Sequence, residues 1–309
     1  MISNKESIII NRESCPVCNA KNFSILYKAK HDAPGFLDFI KFEKYYGDLF
    51  YNSYNNGPLK ELEFNLAECN NCHFMFLTEV LNDTGMGMLY NEWLDPELLR
   101  EHYRKLEYPV YQEIIVRLVK KYFGKQDKIN VMDFGAGYGN FCSIATSLGL
   151  NTYAFDLSSD KNDHMNSMGV TIISNFEKYQ SHFDLIWVNQ VLEHLSNPGE
   201  VLRNLQGCLK NDGIIYVAVP DCKNVKKILN TQGLSHNFFR FISPHQHVNA
   251  FNNSTLKLLG IHAGLKPFSV FDFLKFFNTS LNMDELKLLT KRTIKNSAYG
   301  TGLFFKKSN

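Results

Sequence analysis

The sequence predicts an α/β protein whose main domain is a largely parallel sheet of seven strands, preceded by a small module held together by two cysteine pairs. The first observation is that short apolar segments and helical segments alternate at close intervals through residues 126–309. The second is that four of the seven cysteines form two C-x-x-C pairs near the N-terminus. A chain of 309 residues with 44% apolar positions is also long enough to bury a sizeable core.

The first predicted domain, residues 1–90, contains short strands around the cysteine pairs and an aromatic, Asn-rich stretch at 36–57. We predict strands at Asn22–Tyr27, Glu63–Ala67 and Phe74–Leu77, and we expect this domain to make little core unaided. A helical linker, residues 91–125, follows it, because apolar residues recur at three- and four-residue spacings before Gly124 ends the pattern.

The third predicted domain, residues 126–309, contains the alternating elements. Strands are expected at Ile129–Phe134, Asn151–Asp156, Thr171–Ser174, Phe183–Asn189, Gly213–Val219, Pro267–Phe273 and Gly302–Lys306. Helices are expected at Gly139–Leu148, Ser159–Met168, Gly199–Leu209 and Ser254–Ala263, with another between Met283 and Ile294. The segment 223–253 is longer than an ordinary connection, and we predict that it forms a lid over the carboxyl edge of the sheet.

The two C-x-x-C pairs, Cys15 with Cys18 and Cys69 with Cys72, have the spacing of a zinc site, because two thiolates of one turn reach the same metal at about 2.3 Å. Four thiolates close a tetrahedral site, so we predict a structural Zn²⁺ in a zinc-ribbon-like module and give it no part in catalysis. His73 is taken as a non-ligand. The alternatives are two unrelated pairs of free thiols and a redox C-x-x-C.

A glycine loop follows the first strand of the third domain, where Asp133, Gly135, Gly137 and Gly139 precede a helix. Glycines let the backbone approach a ligand closely, and the helix N-terminus favours a carboxylate or phosphate. The spacing is G-x-G-x-G and not the G-x-G-x-x-G of dinucleotide folds. The acid at position 133 suits a ligand with an ammonium group, so we predict S-adenosylmethionine as the cofactor.

Two further positions extend this predicted cofactor site. Asp156 ends the second strand, where a carboxylate can accept hydrogen bonds from both ribose hydroxyls. Phe176 follows the third strand and is placed beside the adenine, with plain core as the alternative.

These residues, with the block Phe183–Leu195 and the run Leu205–Pro220, make residues 129–309 resemble a class I S-adenosylmethionine-dependent methyltransferase. The resemblance implies a Rossmann-like seven-stranded methyltransferase sheet, and it implies that Asn189 and Gln190 touch the methionine part of the cofactor. The cysteine module, with the runs Leu66–Phe74 and Leu89–Trp93, is similar to the N-terminal domain of bacterial methyltransferases that modify sugars, including deoxysugar C-methyltransferases. The C-methyltransferases usually carry a further C-terminal domain, whereas this sequence ends after its seventh predicted strand, so we expect transfer to oxygen before carbon.

The predicted acceptor is a sugar, a nucleotide sugar or a similar hydroxyl-rich small molecule. Methyl transfer from a sulfonium needs a positioned acceptor and one base. His194 is the first candidate for that base, because it follows the fourth strand at the edge where open α/β sheets bind ligands. Glu193 is expected to orient His194 or to hold an acceptor hydroxyl, and His247 to bind the acceptor or take its proton. The alternatives are a His194 that caps the next helix and a solvated Glu193.

The charge balance of 33 basic and 31 acidic residues, a net +2, disfavours a nucleic-acid partner. No apolar run reaches the length of a signal-peptide core or of a membrane span, so we expect a soluble, cytoplasmic protein. Two other functions stay open: an RNA methyltransferase that holds nucleic acid with the zinc module, and a non-catalytic cofactor-binding scaffold. Aromatic residues of the linker region are expected to close over the cofactor, with aromatic core as the alternative: Tyr90, Trp93, Tyr108 and Tyr111.

Overall fold

The computed structural model describes residues 8–105, 110–124, 128–158, 161–277, 284 and 300–308. Backbone proximity divides the chain into two compact units. Unit 1 comprises Met1–Leu106, Glu193–Ser196 and Cys222–Phe251, and unit 2 comprises Glu107–Leu192, Asn197–Asp221 and Asn252–Asn309. Each unit therefore combines stretches that are distant in sequence.

The regular elements of the described residues are numbered in chain order. The strands are β1 (Ile9–Asn11), β2 (Phe23–Ala29), β3 (Phe64–Cys69), β4 (Met75–Leu77), β5 (Glu79–Leu81), β6 (Asn130–Phe134), β7 (Asn151–Phe155), β8 (Thr171–Ile172), β9 (Phe183–Asn189), β10 (Leu209–Val219), β11 (Asn249–Ala250), β12 (Leu265–Pro267) and β13 (Thr301–Lys307). The α-helices are α1 (Phe36–Ile40), α2 (Asp48–Asn56), α3 (Asp83–Met88), α4 (Pro96–Lys105), α5 (Val110–Tyr122), α6 (Asn140–Ser147), α7 (Asn162–Ser167), α8 (Pro198–Cys208), α9 (Val225–Gln232), α10 (His236–Phe239), α11 (Asn253–His262) and α12 (Val270–Phe277). Short 3-10 turns lie at Pro58–Glu61 and Phe176–Lys178, and a π-helical turn lies at Leu89–Trp93.

Unit 2 is built around a mixed sheet with seven strands among the described residues, in the order β12-β13-β10-β9-β6-β7-β8. The neighbouring pairs from β10 to β8 are parallel, whereas β13 is antiparallel to both β10 and β12. β9 is buried from Phe183 to Val188, as expected of a central parallel strand that is covered on both faces. The predicted fold class, a Rossmann-like α/β sheet with a four-cysteine module before it, is confirmed.

An aromatic stack fills one side of this sheet. The ring of Trp187 on β9 stacks on Phe141 of α6 and on Tyr216 of β10, with centroid distances of 4.6 and 4.3 Å. The apolar face of α5 contributes Ile115 and Val119 to the same core. Burying side chains of this size contributes about 1.5–3 kcal/mol each, which explains why the periodic apolar pattern of α5 becomes a packed helix.

The predicted strand Pro267–Phe273 is wrong over most of its length. Strand β12 ends at Pro267, and α12 then begins at Val270. Ser269 and Asp272 start this helix reciprocally, because the Asp272 amide donates to Ser269 Oγ at 3.2 Å and Asp272 Oδ2 accepts from the Ser269 amide at 2.8 Å. The aromatic residues of 267–273 are typical of a strand, but the two capping hydrogen bonds between Ser269 and Asp272 favour a helix. The helix predicted between Met283 and Ile294 lies largely outside the described residues.

Unit 1 contains more core than the sequence predicted. Its antiparallel sheet has the order β11-β4-β3-β2, and β1 pairs with β5. The stretch 36–57 forms α1 and α2, whose rings Phe36, Phe39 and Phe50 are each at most 2% exposed. Phe39 and Phe36 both lie within 5.7 Å of the Phe64 ring on β3. The aromatic residues therefore supply a core that the short strands alone could not.

Most of the segment predicted as a lid, residues 223–253, groups with unit 1, which takes in Cys222–Phe251, while the last two residues of the segment fall in unit 2. Phe238 and Ile242 are fully buried in the aromatic core of unit 1, and Phe239 lies 5.2 Å from Phe39. β11 pairs antiparallel with β4, so that Asn249 lies opposite Phe76. These contacts explain the grouping, because packing and not sequence proximity decides which unit a segment joins. A role as a lid stays a prediction.

Candidate functional site

The glycine loop of unit 2 connects β6 to α6 and has the backbone that its sequence requires. Gly135, Gly137 and Gly139 have φ values of +78°, +53° and +73°, a region that favours glycine. A Cβ atom on Gly135 would lie 2.5 Å from Val191 Cγ2, whereas one on Gly137 would meet nothing within 4 Å. The loop is therefore packed against the protein at Gly135 and open at Gly137, where a ligand can approach the backbone.

Asp133 lies at the end of β6 and is 5% exposed. Burial raises the pKa of its carboxyl to about 7, which the hydrogen bond from Cys142 partly opposes and the charge of Asp156 reinforces. Cys142 Sγ donates to Asp133 Oδ2 at 3.6 Å from the first turn of α6. A bound ammonium group would favour the ionised carboxylate here. The sequence does not predict this contact of Cys142 with Asp133, because it indicates only that Cys142 lies on the buried face of a helix.

Asp156 follows β7 and is held by backbone amides on both of its oxygens. Gly137 N donates to Oδ2 at 2.7 Å, and Ser158 N donates to Oδ1 at 2.9 Å. A carboxylate accepts about four hydrogen bonds, so each oxygen keeps a lone pair for a further donor. The Asp156 carboxylate is thus fixed beside the open end of the glycine loop and is able to accept two ligand hydroxyls.

Phe176 is 9% exposed and packs edge-on against Phe134 and Phe155, at centroid distances of 5.2 and 5.1 Å. Phe134 and Phe155 stack on each other at 5.1 Å. The Phe176 ring therefore takes part in an aromatic cluster at the ends of β6 and β7, and its placement beside an adenine stays a prediction.

Asn189 is the last residue of β9, and Gln190 follows it. β9 pairs in parallel with β6, the strand that precedes the glycine loop. Asn189 Oδ1 accepts a hydrogen bond from the Tyr111 hydroxyl of α5 at 3.4 Å. Gln190 is exposed with φ at +58°, and its backbone N donates to Ala218 O at 2.8 Å. This backbone conformation is uncommon for a residue other than glycine and persists only where the surroundings fix it, and the contact of Asn189 and Gln190 with a cofactor stays a prediction.

A second cluster of candidate residues lies within unit 1 and comprises Glu193, His194 and His247. One carboxylate oxygen and one nitrogen of each imidazole all lie within 4.8 Å of one another. Glu193 Oε1 is 3.9 Å from His194 Nε2, and the two imidazole centroids are 4.8 Å apart. The Tyr90 hydroxyl lies 3.2 Å from His194 Nδ1, and His247 Nδ1 donates to Arg240 O at 3.1 Å, so His247 Nε2 keeps its lone pair.

Burial controls the protonation of this cluster. Glu193 is 1% exposed, and neither of its carboxylate oxygens has a hydrogen-bond partner in the described part of the chain. Burial raises the pKa of Glu193 to about 8. Burial lowers the pKa of His247 to about 4, and burial together with the nearby His247 lowers the pKa of His194 well below its ordinary value. Both imidazoles are therefore neutral near pH 7, and a neutral imidazole has one nitrogen that can accept a hydrogen bond.

The spacing of these three groups fits an oxygen atom better than a metal ion. An oxygen about 2.8 Å from three atoms allows separations of up to about 4.8 Å between them. Nitrogen and oxygen ligands spaced evenly around a divalent ion in tetrahedral or trigonal geometry, with bonds of about 2.1 Å, stand about 3.4 to 3.6 Å apart. Because Glu193 Oε1 and His194 Nε2 are already 3.9 Å apart, the cluster as it stands suits a hydroxyl group.

The four predicted zinc ligands come together in unit 1. Cys15 Sγ lies 3.6 Å from Cys72 Sγ, and Cys18 Sγ lies 3.4 Å from Cys69 Sγ. Four sulfurs at about 2.3 Å from one ion stand about 3.8 Å apart, so this donor set fits tetrahedral Zn²⁺. His73 turns its backbone at φ +58° and leaves 77% of its side chain exposed, outside the group of sulfurs.

The aromatic residues of the linker region divide between the two units. Tyr111 bonds Asn189 in unit 2, and Tyr90 bonds His194 in unit 1, as given above. Trp93 is 2% exposed and belongs to the aromatic core of unit 1. Tyr108 lies outside the described residues. No helix in the described ranges combines the length and the apolar character needed to cross a membrane.

Comparison with known proteins identifies one family. The family model described as a methyltransferase domain matches residues 100–270, just over half of the chain. The ubiquinone biosynthesis O-methyltransferase of Glaesserella parasuis serovar 5 (strain SH0165) is 26% identical over 151 residues, 40% of this chain and 61% of that protein. The protein of the same description from Actinobacillus pleuropneumoniae serotype 7 (strain AP76) is 24% identical over 176 residues, 48% of this chain and 73% of that protein. The chain thus spans less than two thirds of the first of these relatives.

Solved structures show the same fold. The plantazolicin methyltransferase BamL, in complex with a triazolic desmethylPZN analog and SAH, has a TM-score of 0.52 at 16% identity and covers 74% of this chain and 96% of its own. The plantazolicin methyltransferase BpumL, in complex with the triazolic analog and SAH, has a TM-score of 0.50 at 15% identity, with the same coverage of both chains. At these identities the likeness is one of fold.

Proposed function

We propose that this chain, which belongs to the methyltransferase-domain family, transfers a methyl group from S-adenosylmethionine to a hydroxyl oxygen of a sugar, a nucleotide sugar or a similar hydroxyl-rich small molecule. The predicted enzyme class, an S-adenosylmethionine-dependent methyltransferase, is confirmed by the family match. The observation that carries the proposal is the open backbone at Gly137, with the carboxylate of Asp156 fixed 2.7 Å from its amide.

The residues of the glycine loop fit the proposed cofactor. S-adenosylmethionine supplies an electrophilic methyl group on a sulfonium. In our proposal Asp133 receives the ammonium group, and the two free lone pairs of Asp156 accept the ribose hydroxyls. Gly135, Gly137 and Gly139 let the backbone approach the ligand. We also propose that the methionine part of the cofactor contacts Asn189 and Gln190, and that its adenine contacts Phe176.

We assign the acceptor hydroxyl to Glu193, His194 and His247. The separations of at most 4.8 Å between their polar atoms support this assignment, and the neutral imidazole of His194 is the group that takes the proton. Glu193, whose carboxyl group is protonated near pH 7 because burial raises its pKa to about 8, lies 3.9 Å from His194 Nε2 and is placed to hold the acceptor hydroxyl by a hydrogen bond. His247 Nε2 accepts a hydrogen bond that orients the acceptor. Two curated relatives named as O-methyltransferases support oxygen as the atom that is methylated.

We also propose that the four clustered cysteines bind a structural Zn²⁺. The sulfur separations of 3.4 and 3.6 Å support it, since four thiolates around one tetrahedral zinc ion stand about 3.8 Å apart. A closed site of four thiolates leaves no position for a substrate, so its contribution is to the stability of unit 1.

The acceptor is tested by a mass-shift screen. The purified protein is incubated with S-adenosylmethionine and a panel of nucleotide sugars, free sugars and RNA, and each mixture is searched for a gain of one methyl group. We expect the gain on a hydroxyl-bearing sugar or nucleotide sugar with the wild type, and a strong reduction with Asp156→Ala. A gain on RNA alone, or on no member of the panel, would contradict the proposed acceptor class.

A further inference from the structure

Arg12 is a half-buried residue whose guanidinium connects three segments of unit 1 that are distant in sequence. Its Nη2 donates to Leu195 O at 2.8 Å, and its Nε donates to Ser196 O at 3.0 Å. Its Nη1 donates to Asn249 Oδ1 at 3.0 Å and to Leu77 O at 3.1 Å. These acceptors are carbonyl and amide oxygens, so within the part of the chain that the structure describes Arg12 organises backbone and does not pair with a carboxylate.

Asn249 completes the connection from the other side. It is fully buried, and its Nδ2 donates to Leu195 O at 2.7 Å. The backbone N atoms of Val248 and Asn249 lie 2.8 and 3.1 Å from Glu193 O and both donate to it. The segment 193–196 is thereby joined to the segment 247–249 through backbone, amide and guanidinium hydrogen bonds together.

These two segments carry the residues that we assign to the acceptor. His194 lies within the first, and His247 begins the second. The relative position of the two imidazoles is set by two kinds of contact: the backbone bonds to Glu193 O, and the side-chain bonds that involve Arg12 either directly or through Asn249. A single guanidinium can do this because its donors form a rigid planar fork, whereas an ammonium group is a compact charge without fixed donor directions.

We propose that Arg12 is a positioning residue for the acceptor site, which holds the His194 segment against the His247 segment and so fixes the gap in which the acceptor oxygen binds. The purpose of this positioning rests on the proposed function, but the contacts themselves do not. A misplacement of about 1 Å in such a site costs about a hundredfold in rate, so we expect a loss of that size in kcat with S-adenosylmethionine binding unchanged.

The test uses ¹⁵N-histidine NMR on the full chain, which needs no acceptor. In the wild type we expect a single neutral tautomer for His247, with its proton on Nδ1, and a single tautomer for His194. In Arg12→Ala and in Arg12→Lys, we expect each of these two histidines to show signals averaged over its two neutral tautomers. Added guanidinium should restore them in Arg12→Ala, whereas methylammonium, which has the same charge without the fork, should not. Lys28→Ala, which removes the exposed ion pair with Glu63 in the same unit, is the matched control and should match the wild type.

The proposal is overturned if folded Arg12→Ala or Arg12→Lys keeps both histidine signals as in the wild type, or if methylammonium restores them as well as guanidinium does. Arg12→Lys retains the positive charge, so this variant provides the test if Arg12→Ala does not fold. A wild type that methylates no acceptor would instead contradict the proposed function, while the NMR result would still decide the role of Arg12. With an acceptor from the screen, the loss in Arg12→Lys should fall on kcat and leave the affinity for S-adenosylmethionine intact.

Discussion

Glu193 carries a carboxyl group that is almost fully buried, with both oxygens unpartnered among the described residues. Leaving such a group unpaired costs free energy, so a protein that keeps one is expected to use it. Two neutral imidazoles face it within 4.8 Å, which gives the cluster a place for one oxygen and a lone pair to receive its proton. At the residue scale, the reactivity that we propose thus follows from burial.

Glu193→Gln should change how stability depends on pH. Burial raises the pKa of Glu193 from 4.5 to about 8, so the folded state holds a proton that the unfolded chain has lost between these values. The free energy of unfolding of the wild type should therefore fall, as pH rises from 4.5 to 8, by about 1.4 kcal/mol per pH unit more than that of the variant. Denaturant unfolding across this range measures it. Parallel curves for the two proteins would show that Glu193 ionises normally.

His194→Ala should lose turnover without losing cofactor. General-base catalysis contributes about 10²- to 10⁴-fold, so we expect a fall of that size in kcat with the acceptor found by the screen. His164→Ala, an exposed histidine on α7, is the matched control and should keep wild-type turnover. Wild-type turnover by His194→Ala would remove this residue from the mechanism.

At the scale of elements, the loop between β6 and α6 shows how one motif serves both packing and binding. Gly135 and Gly137 both have left-handed backbone, but they face different surroundings. The first lies against Val191, and the second faces open space beside Asp156. The spacing of the glycines can be recognised in the sequence. Which glycine packs against the protein and which faces open space depends on the position of Val191, so the motif alone does not predict it.

A pair of substitutions separates these two functions. Gly135→Ala places a methyl group 2.5 Å from Val191 Cγ2 in a left-handed conformation, so it should destabilise unit 2 by about 2 kcal/mol or more. Gly137→Ala carries a similar backbone strain of about 1 kcal/mol, and its methyl group points into the proposed cofactor space. We expect the larger loss of S-adenosylmethionine affinity in Gly137→Ala, measured by isothermal titration calorimetry. We expect the larger fall in Tm in Gly135→Ala, measured by differential scanning calorimetry. The reverse order would contradict the placement of the cofactor.

At the scale of the whole molecule, sequence patterns predicted what depends on spacing and missed what depends on packing between distant segments. The cysteine pairs and the alternating strands are local patterns, and both were predicted correctly as a four-cysteine cluster and a seven-stranded sheet. The convergence of Glu193 and His194 with His247 joins positions more than fifty residues apart, so the sequence could nominate His247 only separately from the other two. The same reason explains why residues 222–251 group with unit 1, although the strands of the large sheet flank them in sequence.

Zinc should be a stability element of the molecule. Cys15→Ser should remove one bound zinc per chain and lower Tm by about 10 °C, because metal binding contributes directly to the free energy of folding. Metal content by mass spectrometry and a thermal melt measure the two effects. His73→Ala alters the residue beside Cys72 and should keep both the zinc and the Tm. Full retention of zinc in Cys15→Ser would show that the four sulfurs are not its ligands.

The central claim, that unit 2 binds S-adenosylmethionine through the glycine loop and Asp156, is tested most directly by isothermal titration calorimetry. Loss of two hydrogen bonds to a charged carboxylate costs about 1.5–3 kcal/mol or more, so Asp156→Ala should weaken binding by about tenfold to over a hundredfold. Asp163→Ala, which removes an exposed acid from α7, should bind like the wild type. No binding of S-adenosylmethionine or S-adenosylhomocysteine to the wild type, or equal affinity in Asp156→Ala, would contradict the account.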